Sequence, residues 1–117
     1  MLNIKKEYMQ TNIVYEFDGF IGNHDLKKIE TMMMEDMVNT YTFIFNFKNI
    51  NYIDMYAIQM LKKVYLLSVD YACEIKLTGL QAQPETILEL FQMDKLYTTL
   101  QPVNNVYGDE NESLYYA

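Results

Sequence analysis

The sequence has few of the residues on which many kinds of functional site depend. Its 117 residues include one cysteine, one histidine and no tryptophan. A single cysteine, Cys73, excludes an internal disulfide framework. Together with the one histidine, His24, it cannot form a zinc site without two carboxylates, and no such cluster has the spacing of metal ligands. The sequence therefore predicts a protein without a metal or another cofactor.

Positive charge is also scarce. Nine lysines and arginines face sixteen acidic residues, so the formal net charge is −7. A surface of this sign repels phosphates, which argues against nucleic-acid binding and against an anionic membrane surface. No stretch approaches the roughly 18 apolar residues of a membrane span, and the first residues lack the apolar run of a signal peptide. We expect a soluble, cytoplasmic protein, whose acidity either maintains solubility or complements a basic partner.

Candidates for catalysis are equally few. Cys73 alternates in phase with Ile75 and Leu77, which is typical of a small core residue and not of a nucleophile. His24 stands at a predicted helix start, where a solvated side chain is more common than a general base. No glycine motif fits a phosphate-binding loop, and the carboxylates lack the paired spacing of an acid and a base. The sequence thus predicts that the protein is not an enzyme.

What the sequence does contain is a pattern of alternating strands and helices. Half of the residues are hydrophobic, and the length suits one domain, which we place over residues 1–117. Residues 2–8 and 12–17 alternate between apolar and polar, which predicts two strands. The polar segment Gln10-Thr11-Asn12 between them predicts a turn, so that the two strands form an antiparallel hairpin.

Further along the chain, helices alternate with strands. We predict a helix over about 24–38, a strand at 41–47 with Tyr41, Phe43, Phe45 and Phe47 on one face, and a helix from Asp54 to about Tyr71. A strand at 73–78 follows, and then a helix that begins near Pro84 and has Ile87, Leu88 and Phe91 as its apolar stripe. The last predicted elements are a strand near 97–100 and a short helix in the tail after Asp109. Asn23 is predicted to be the N-cap of the first helix. Apolar residues on both faces of the strand at 41–47 are typical of a central strand.

This order of elements predicts the fold class. Strands separated by helices imply right-handed crossovers and parallel pairing. The expected fold is a single α/β domain with a mixed sheet, in which an antiparallel opening hairpin precedes parallel strands, packed with three to four helices.

The second predicted helix carries more apolar residues than its core face requires. That face is predicted to consist of Ala57, Ile58, Leu61, Val64, Tyr65 and Ser68. Met55, Tyr56 and Met60 lie off this stripe. Either neighbouring elements bury them or they form an exposed apolar patch for a partner, because tyrosine is enriched at binding hot spots and methionine adapts to varied surfaces.

Residues 43–58, with the sequence FIFNFKNINYIDMYAI, resemble the central signature of STAS domains. This family includes bacterial anti-sigma factor antagonists and the tails of sulfate transporters. Its signature is an apolar strand, a short loop and the motif D-S-S-G-L at the start of a helix. Residues 18–21, 77–80, 87–96 and 111–114 resemble the flanking parts of the family pattern. The order and spacing of these segments over residues 12–114 imply a STAS-type fold.

The chain departs from the family where the second helix begins. In the antagonists, the first serine of the motif is phosphorylated by a partner kinase that is also the anti-sigma factor, which reverses binding. Here Asp54 is retained, but Met55 stands at the position of that serine, Tyr56 replaces the second serine and Ala57 replaces the glycine. Methionine has no group to phosphorylate. The resemblance therefore implies the family's shape without its phosphate switch.

The resemblance also implies a function. We predict a protein-binding regulatory module for an anti-sigma kinase, a phosphatase or a related regulator of transcription, without phosphorylation at the usual site. The implied partner-binding residues are Asn23, Asp54, Met55, Tyr56, Ala57 and Met60. An alternative is a STAS subunit that docks onto the ATPase of a lipid-transporting ABC complex, and a third is an unrelated enzyme on a similar fold.

Overall fold

A computed structural model of the chain describes residues 1–100, with side chains through Tyr97. The elements are β1 (Leu2–Met9), β2 (Asn12–Gly19), α1 (Asp25–Asp36), β3 (Thr42–Asn49), α2 (Met55–Asp70), β4 (Glu74–Thr78), α3 (Ala82–Leu90) and β5 (Thr98–Leu100), with 3-10 turns at Met37–Asn39 and Met93–Lys95. The strands form one sheet in the order β1-β2-β3-β4-β5. β1 and β2 are antiparallel and the remaining pairs are parallel, which confirms the predicted mixed α/β fold. The helix predicted after Asp109 lies outside the described residues.

The opening hairpin has a tighter turn than predicted. Leu2 pairs with Gly19 and Met9 pairs with Asn12, so Asn12 belongs to β2 and the turn contains two residues, Gln10 and Thr11. Gln10 has φ of 58°. A two-residue hairpin turn requires such a positive φ because its twist must match that of the strands.

An aromatic layer between the sheet and the helices forms the centre of the core. Its side chains from β2 and β3 are fully buried: Ile13, Tyr15, Phe17, Phe43, Phe45 and Phe47. The rings of Phe17 and Phe47 meet edge to face, with centroids 5.3 Å apart. Ile44, on the opposite face of β3, is also fully buried, which confirms the central strand. The prediction that Tyr41 shares a strand face with these phenylalanines is wrong, because Tyr41 precedes β3 and is 69% exposed.

Helix α1 begins without the predicted cap. The N-cap residue is His24, whose side chain makes no capping hydrogen bond in the described part of the chain. Asn23 as N-cap is therefore wrong. The reason is a turn that brings the amide of Gly22 to Oδ2 of Asp25 at 2.7 Å and the amide of Asp25 to the carbonyl of Gly22. Ile29 and Met33 of α1 are buried, and Leu26 and Met37 pack against the core.

Asp36, the last residue of α1, connects the helix to the opening hairpin. Its carboxylate accepts hydrogen bonds from the hydroxyls of Tyr8, at 2.9 Å, and Tyr15, and it forms an ion pair with Lys6 at 3.1 Å. A carboxylate at a helix C-terminus is unfavourable beside the helix dipole. The three donors offset this cost, and the resulting cluster fastens β1 and β2 to α1.

Helix α2 packs against α1 and β4, and α3 packs against the turn at Met93–Lys95. The predicted core stripe of α2 is buried except for Tyr65, which is half-buried. Helix α3 begins at Ala82, so Pro84 lies in its first turn as predicted. The prediction that Phe91 belongs to the apolar stripe of α3 is wrong, because Phe91 is the C-cap of the helix and is 42% exposed.

Candidate functional site

Asp54 organises the start of α2. It has an extended backbone conformation, and its Oδ1 accepts the amide hydrogen of Tyr56 at 3.0 Å. This satisfies one of the helix's free amide groups, as expected of an aspartate N-cap. Met55 and Tyr56 consequently occupy the first two positions of the helix, where little of the fold can cover them.

Four large apolar side chains are exposed at this end of the molecule, and we call them the α2 patch. They are Tyr52, Met55, Tyr56 and Phe20, with exposed fractions of 53, 47, 40 and 38%. The rings of Phe20 and Tyr52 stack with centroids 6.2 Å apart and an angle of 18° between planes. This contact joins the segment after β2 to the loop before α2. The carboxyl ends of the neighbouring parallel strands β2 and β3 lie at the same edge of the sheet, which brings the two segments together.

Two of the four residues of the α2 patch, Met55 and Tyr56, were candidates for an exposed patch from the sequence alone. Met55 and Tyr56 are exposed, which is the second of the two alternatives that the sequence left open, whereas Phe20 and Tyr52 were not predicted as surface residues. The sequence contains a feature that could have identified them, because each is an aromatic residue in a short segment after a predicted strand. Aromatic residues in such positions either cap a core or remain at the surface, and their alternation pattern does not distinguish the two.

Two of the predicted site residues lie in the core. Met60 is 1% exposed and Ala57 is not exposed at all. The prediction that Met60 belongs to an exposed patch is therefore wrong. Met60 stands three residues after Ala57, and residues three apart share a helix face, so both point toward the sheet. Asn23 is exposed in the turn before α1. Partner contact by any of the six predicted residues stays a prediction.

Carboxylates flank the patch. Asp18, Asp25 and Asp54 lie at the same edge of the sheet, and no ion pair involves them among residues 1–100. The amine of Lys48, at the end of β3, is directed to Glu16 at 3.7 Å. The surroundings of the patch are thus acidic.

Helix α3 holds the loop between β3 and α2. Gln81 donates its Nε2 hydrogen to the carbonyl of Lys48 at 2.6 Å, and Gln83 makes two hydrogen bonds to the backbone of Ile53. Asn46 accepts the amide hydrogen of Lys48 at 3.0 Å. Gly79 has φ of 73°, and a Cβ there would lie 2.8 Å from Oδ1 of Asn46 and from the backbone nitrogen of Lys48, so a side chain at this position would displace the end of β3.

The reactive residues of the chain are not assembled into a site. His24 follows β2 at the carboxyl edge of the sheet, whereas Cys73 precedes β4 at the opposite edge, so the two do not form a pair. Burial raises the pKa of the Cys73 thiol, which makes it a poor nucleophile. Within the described residues, no group of three or more His, Cys, Asp or Glu side chains could hold a metal ion.

The serine of α2 is not accessible either. Ser68 is 6% exposed and donates its hydroxyl hydrogen to the carbonyl of Tyr65 at 2.6 Å.

None of the helices within residues 1–100 has the length and apolar content that a membrane crossing requires.

Comparison with known proteins gives a family match. The model of the STAS domain family matches residues 3–108. None of the curated proteins compared with the chain matches it.

Several solved structures share the fold. The anti-sigma factor antagonist SpoIIAA in its unphosphorylated form has a TM-score of 0.75 at 11% identity, covering 95% of this chain and 97% of its own. An anti-sigma factor antagonist from Mycobacterium paratuberculosis has a TM-score of 0.76 at 10% identity, covering 100% and 96%. A variant of RsbS from Moorella thermoacetica has a TM-score of 0.67 at 12% identity, covering 97% and 98%. At these identities the likeness shows a common fold.

Proposed function

The chain belongs to the STAS domain family, and we propose that it is a non-enzymatic regulatory module that binds a protein partner through the α2 patch. The partner is an anti-sigma factor of the kinase type or a related regulator, as the anti-sigma factor antagonists among the similar structures suggest. One observation carries the proposal: Met55, at the position of the family's serine, is 47% exposed and directly precedes the exposed Tyr56 in the first turn of α2.

The composition of the patch favours binding. Tyrosine is enriched among the residues that dominate interface energies, and methionine adapts its shape to a partner. Burying the exposed half of such a side chain contributes about 1 kcal/mol. Four such side chains, two of them already stacked, supply the apolar centre of an interface.

The acidic surroundings indicate the chemistry of the partner. Asp18, Asp25 and Asp54 carry charge that no described ion pair neutralises. A partner with basic side chains around an apolar contact would complement this edge and would associate faster at low salt. The net charge of −7 acts in the same direction.

Binding by this patch does not depend on phosphorylation in our proposal. Met55 offers no hydroxyl, and Ser68 is buried with its hydroxyl bonded to Tyr65. In the family's switch, added phosphate places negative charge in the contact surface and reverses affinity. Without that switch, partner concentration controls the complex.

Affinity purification from the native host tests the proposal. The bait is the full chain as wild type, as Met55→Asp and as Leu66→Asp. Leu66 is a matched control because it is also an exposed apolar residue of α2, at 62%, and lies about 16 Å along the helix from Met55.

We expect a protein that the wild type and Leu66→Asp capture and that Met55→Asp loses. Equal capture by all three baits would contradict the proposal. The identity of the captured protein decides the class of partner: a histidine-kinase-like ATPase or a phosphatase fits a sigma-factor pathway, and a transporter ATPase fits the ABC alternative.

A further inference from the structure

The side chain of Gln83 satisfies both backbone polar groups of Ile53. Its Oε1 accepts the amide hydrogen of Ile53 at 2.8 Å, and its Nε2 donates to the carbonyl of Ile53 at 2.9 Å. Ile53 is 1% exposed and lies 30 residues away in sequence. Among the residues that the structure describes, no other hydrogen bond reaches the Ile53 backbone. A buried amide and carbonyl without partners would destabilise this conformation of the loop.

We propose that Gln83 is a positioning residue for the α2 patch. By fixing Ile53, it sets the direction in which the chain enters Asp54 and the first turn of α2. Tyr52 and Asp54 are the direct neighbours of the fixed residue, so the orientation of the aromatic stack and the helix cap both depend on it. The importance of this for binding rests on the proposed function of the patch.

A second contact supports the same role of α3. Gln81 binds the carbonyl of Lys48, so the loop is attached to the start of α3 near both of its ends. A loop that is ordered before binding avoids the entropy cost of being ordered by the partner. These contacts order the loop in the free protein, which lowers the entropy cost of binding at the patch.

Amide hydrogen exchange measured by NMR on the free full-length chain tests the inference. Gln83→Met removes both hydrogen bonds at a similar side-chain volume. We expect the protection of the Ile53 amide to fall about tenfold or more, because two hydrogen bonds are lost. The Tyr56 amide, bonded to Asp54, should also lose protection, whereas the Phe45 amide in β3 should keep it.

The control is Gln59→Met, an exposed glutamine of α2 for which the structure shows no side-chain hydrogen bond within residues 1–100. It should leave the protection of Ile53 unchanged. An unchanged Ile53 amide in Gln83→Met would overturn the inference. An equal loss at Phe45 would also overturn it, because that pattern indicates a general loss of stability.

A second variant separates the hydrogen bonds from mere packing. In Gln83→Glu, a neutral carboxyl can accept from the Ile53 amide and donate to its carbonyl, but an ionised one can only accept. At a pH well below the ordinary glutamate pKa of about 4.3, where the carboxyl is neutral and can make both hydrogen bonds, Gln83→Glu should protect the Ile53 amide as the wild type does. Gln83→Met should remain unprotected at this pH, and an equal loss of Ile53 protection in both variants would overturn the assigned role.

These measurements do not involve a partner, so their failure is distinct from failure of the proposed function. Once a protein has been captured, Gln83→Met should weaken its binding severalfold. Unchanged affinity in a variant that has lost protection at Ile53 would overturn the positioning role. Equal capture by the wild type and Met55→Asp would instead overturn the function of the patch.

Discussion

Replacing Asp36 with asparagine tests how the opening hairpin is held to the rest of the domain. Asparagine keeps one acceptor oxygen but directs an NH₂ group at one of the three donors, which are the hydroxyls of Tyr8 and Tyr15 and the amine of Lys6. The Tyr15 residue is fully buried, so its hydroxyl cannot turn to water. A hydrogen bond to a charged group contributes about 1.5–3 kcal/mol, and the exposed Tyr8 and Lys6 add little. We expect Asp36→Asn to lower the free energy of unfolding by about 2–3 kcal/mol at pH 7.

The effect should depend on pH in a defined direction. Burial alone would raise the pKa of Asp36, but hydrogen bonds from Tyr15, Lys6 and Tyr8 hold it below its ordinary value. A carboxylate with a lowered folded pKa stabilises the fold above about pH 3.9 and loses this contribution as the pH falls through the folded value. The difference between wild type and Asp36→Asn should therefore shrink as the pH falls below about 4.

Urea denaturation followed by far-ultraviolet circular dichroism measures both quantities. The matched control is Glu35→Gln, an exposed neighbouring acid on α1, which should change the unfolding free energy by less than about 0.5 kcal/mol. Equal denaturation midpoints for Asp36→Asn and Glu35→Gln would refute the reasoning. A difference from wild type that stays constant below pH 4 would refute the assignment of the effect to the ionised carboxylate.

Three further predictions concern the start of α2. Met60→Ala should lower the free energy of unfolding by about 2–4 kcal/mol because it leaves a cavity in the core. Met55→Ala should lower it by less than about 0.5 kcal/mol because Met55 is exposed. Equal values in urea denaturation would contradict the burial of Met60 and the exposure of Met55. Asp54→Ala should cost about 1 kcal/mol through loss of the cap, measured in the same way, and no change would contradict the capping role. Incubation with a cognate kinase and ATP should leave residues 54–57 unmodified in mass spectrometry, and phosphate on Tyr56 would contradict phosphate-independent binding.

The order of elements could be predicted because local pattern determines it. Alternation revealed the strands, and the three- and four-residue spacing revealed the helices. The start of the second helix at Asp54 was predictable because its capping hydrogen bond reaches only two residues along the chain. The predicted cap Asn23 failed because a competing turn, equally local, places the Asp25 carboxylate on the amide of Gly22 instead.

The site was harder to predict because its parts are distant in sequence. The stack of Phe20 on Tyr52 and the contact of Gln83 with Ile53 depend on which strand ends meet at one edge of the sheet. The predicted exposure of Met60 was wrong for another reason. An apolar face wider than one stripe fits a helix that packs closely on a sheet, and periodicity alone does not show how much of that face is covered.

The most direct test of the central claim is the affinity of the captured partner for Met55→Asp, measured by calorimetry beside Leu66→Asp. A charge placed in the contact must be desolvated on binding, so Met55→Asp should weaken binding by more than about 1 kcal/mol, whereas Leu66→Asp should bind as the wild type does. Equal affinities of the wild type and Met55→Asp would contradict the claim that the start of α2 is the binding surface.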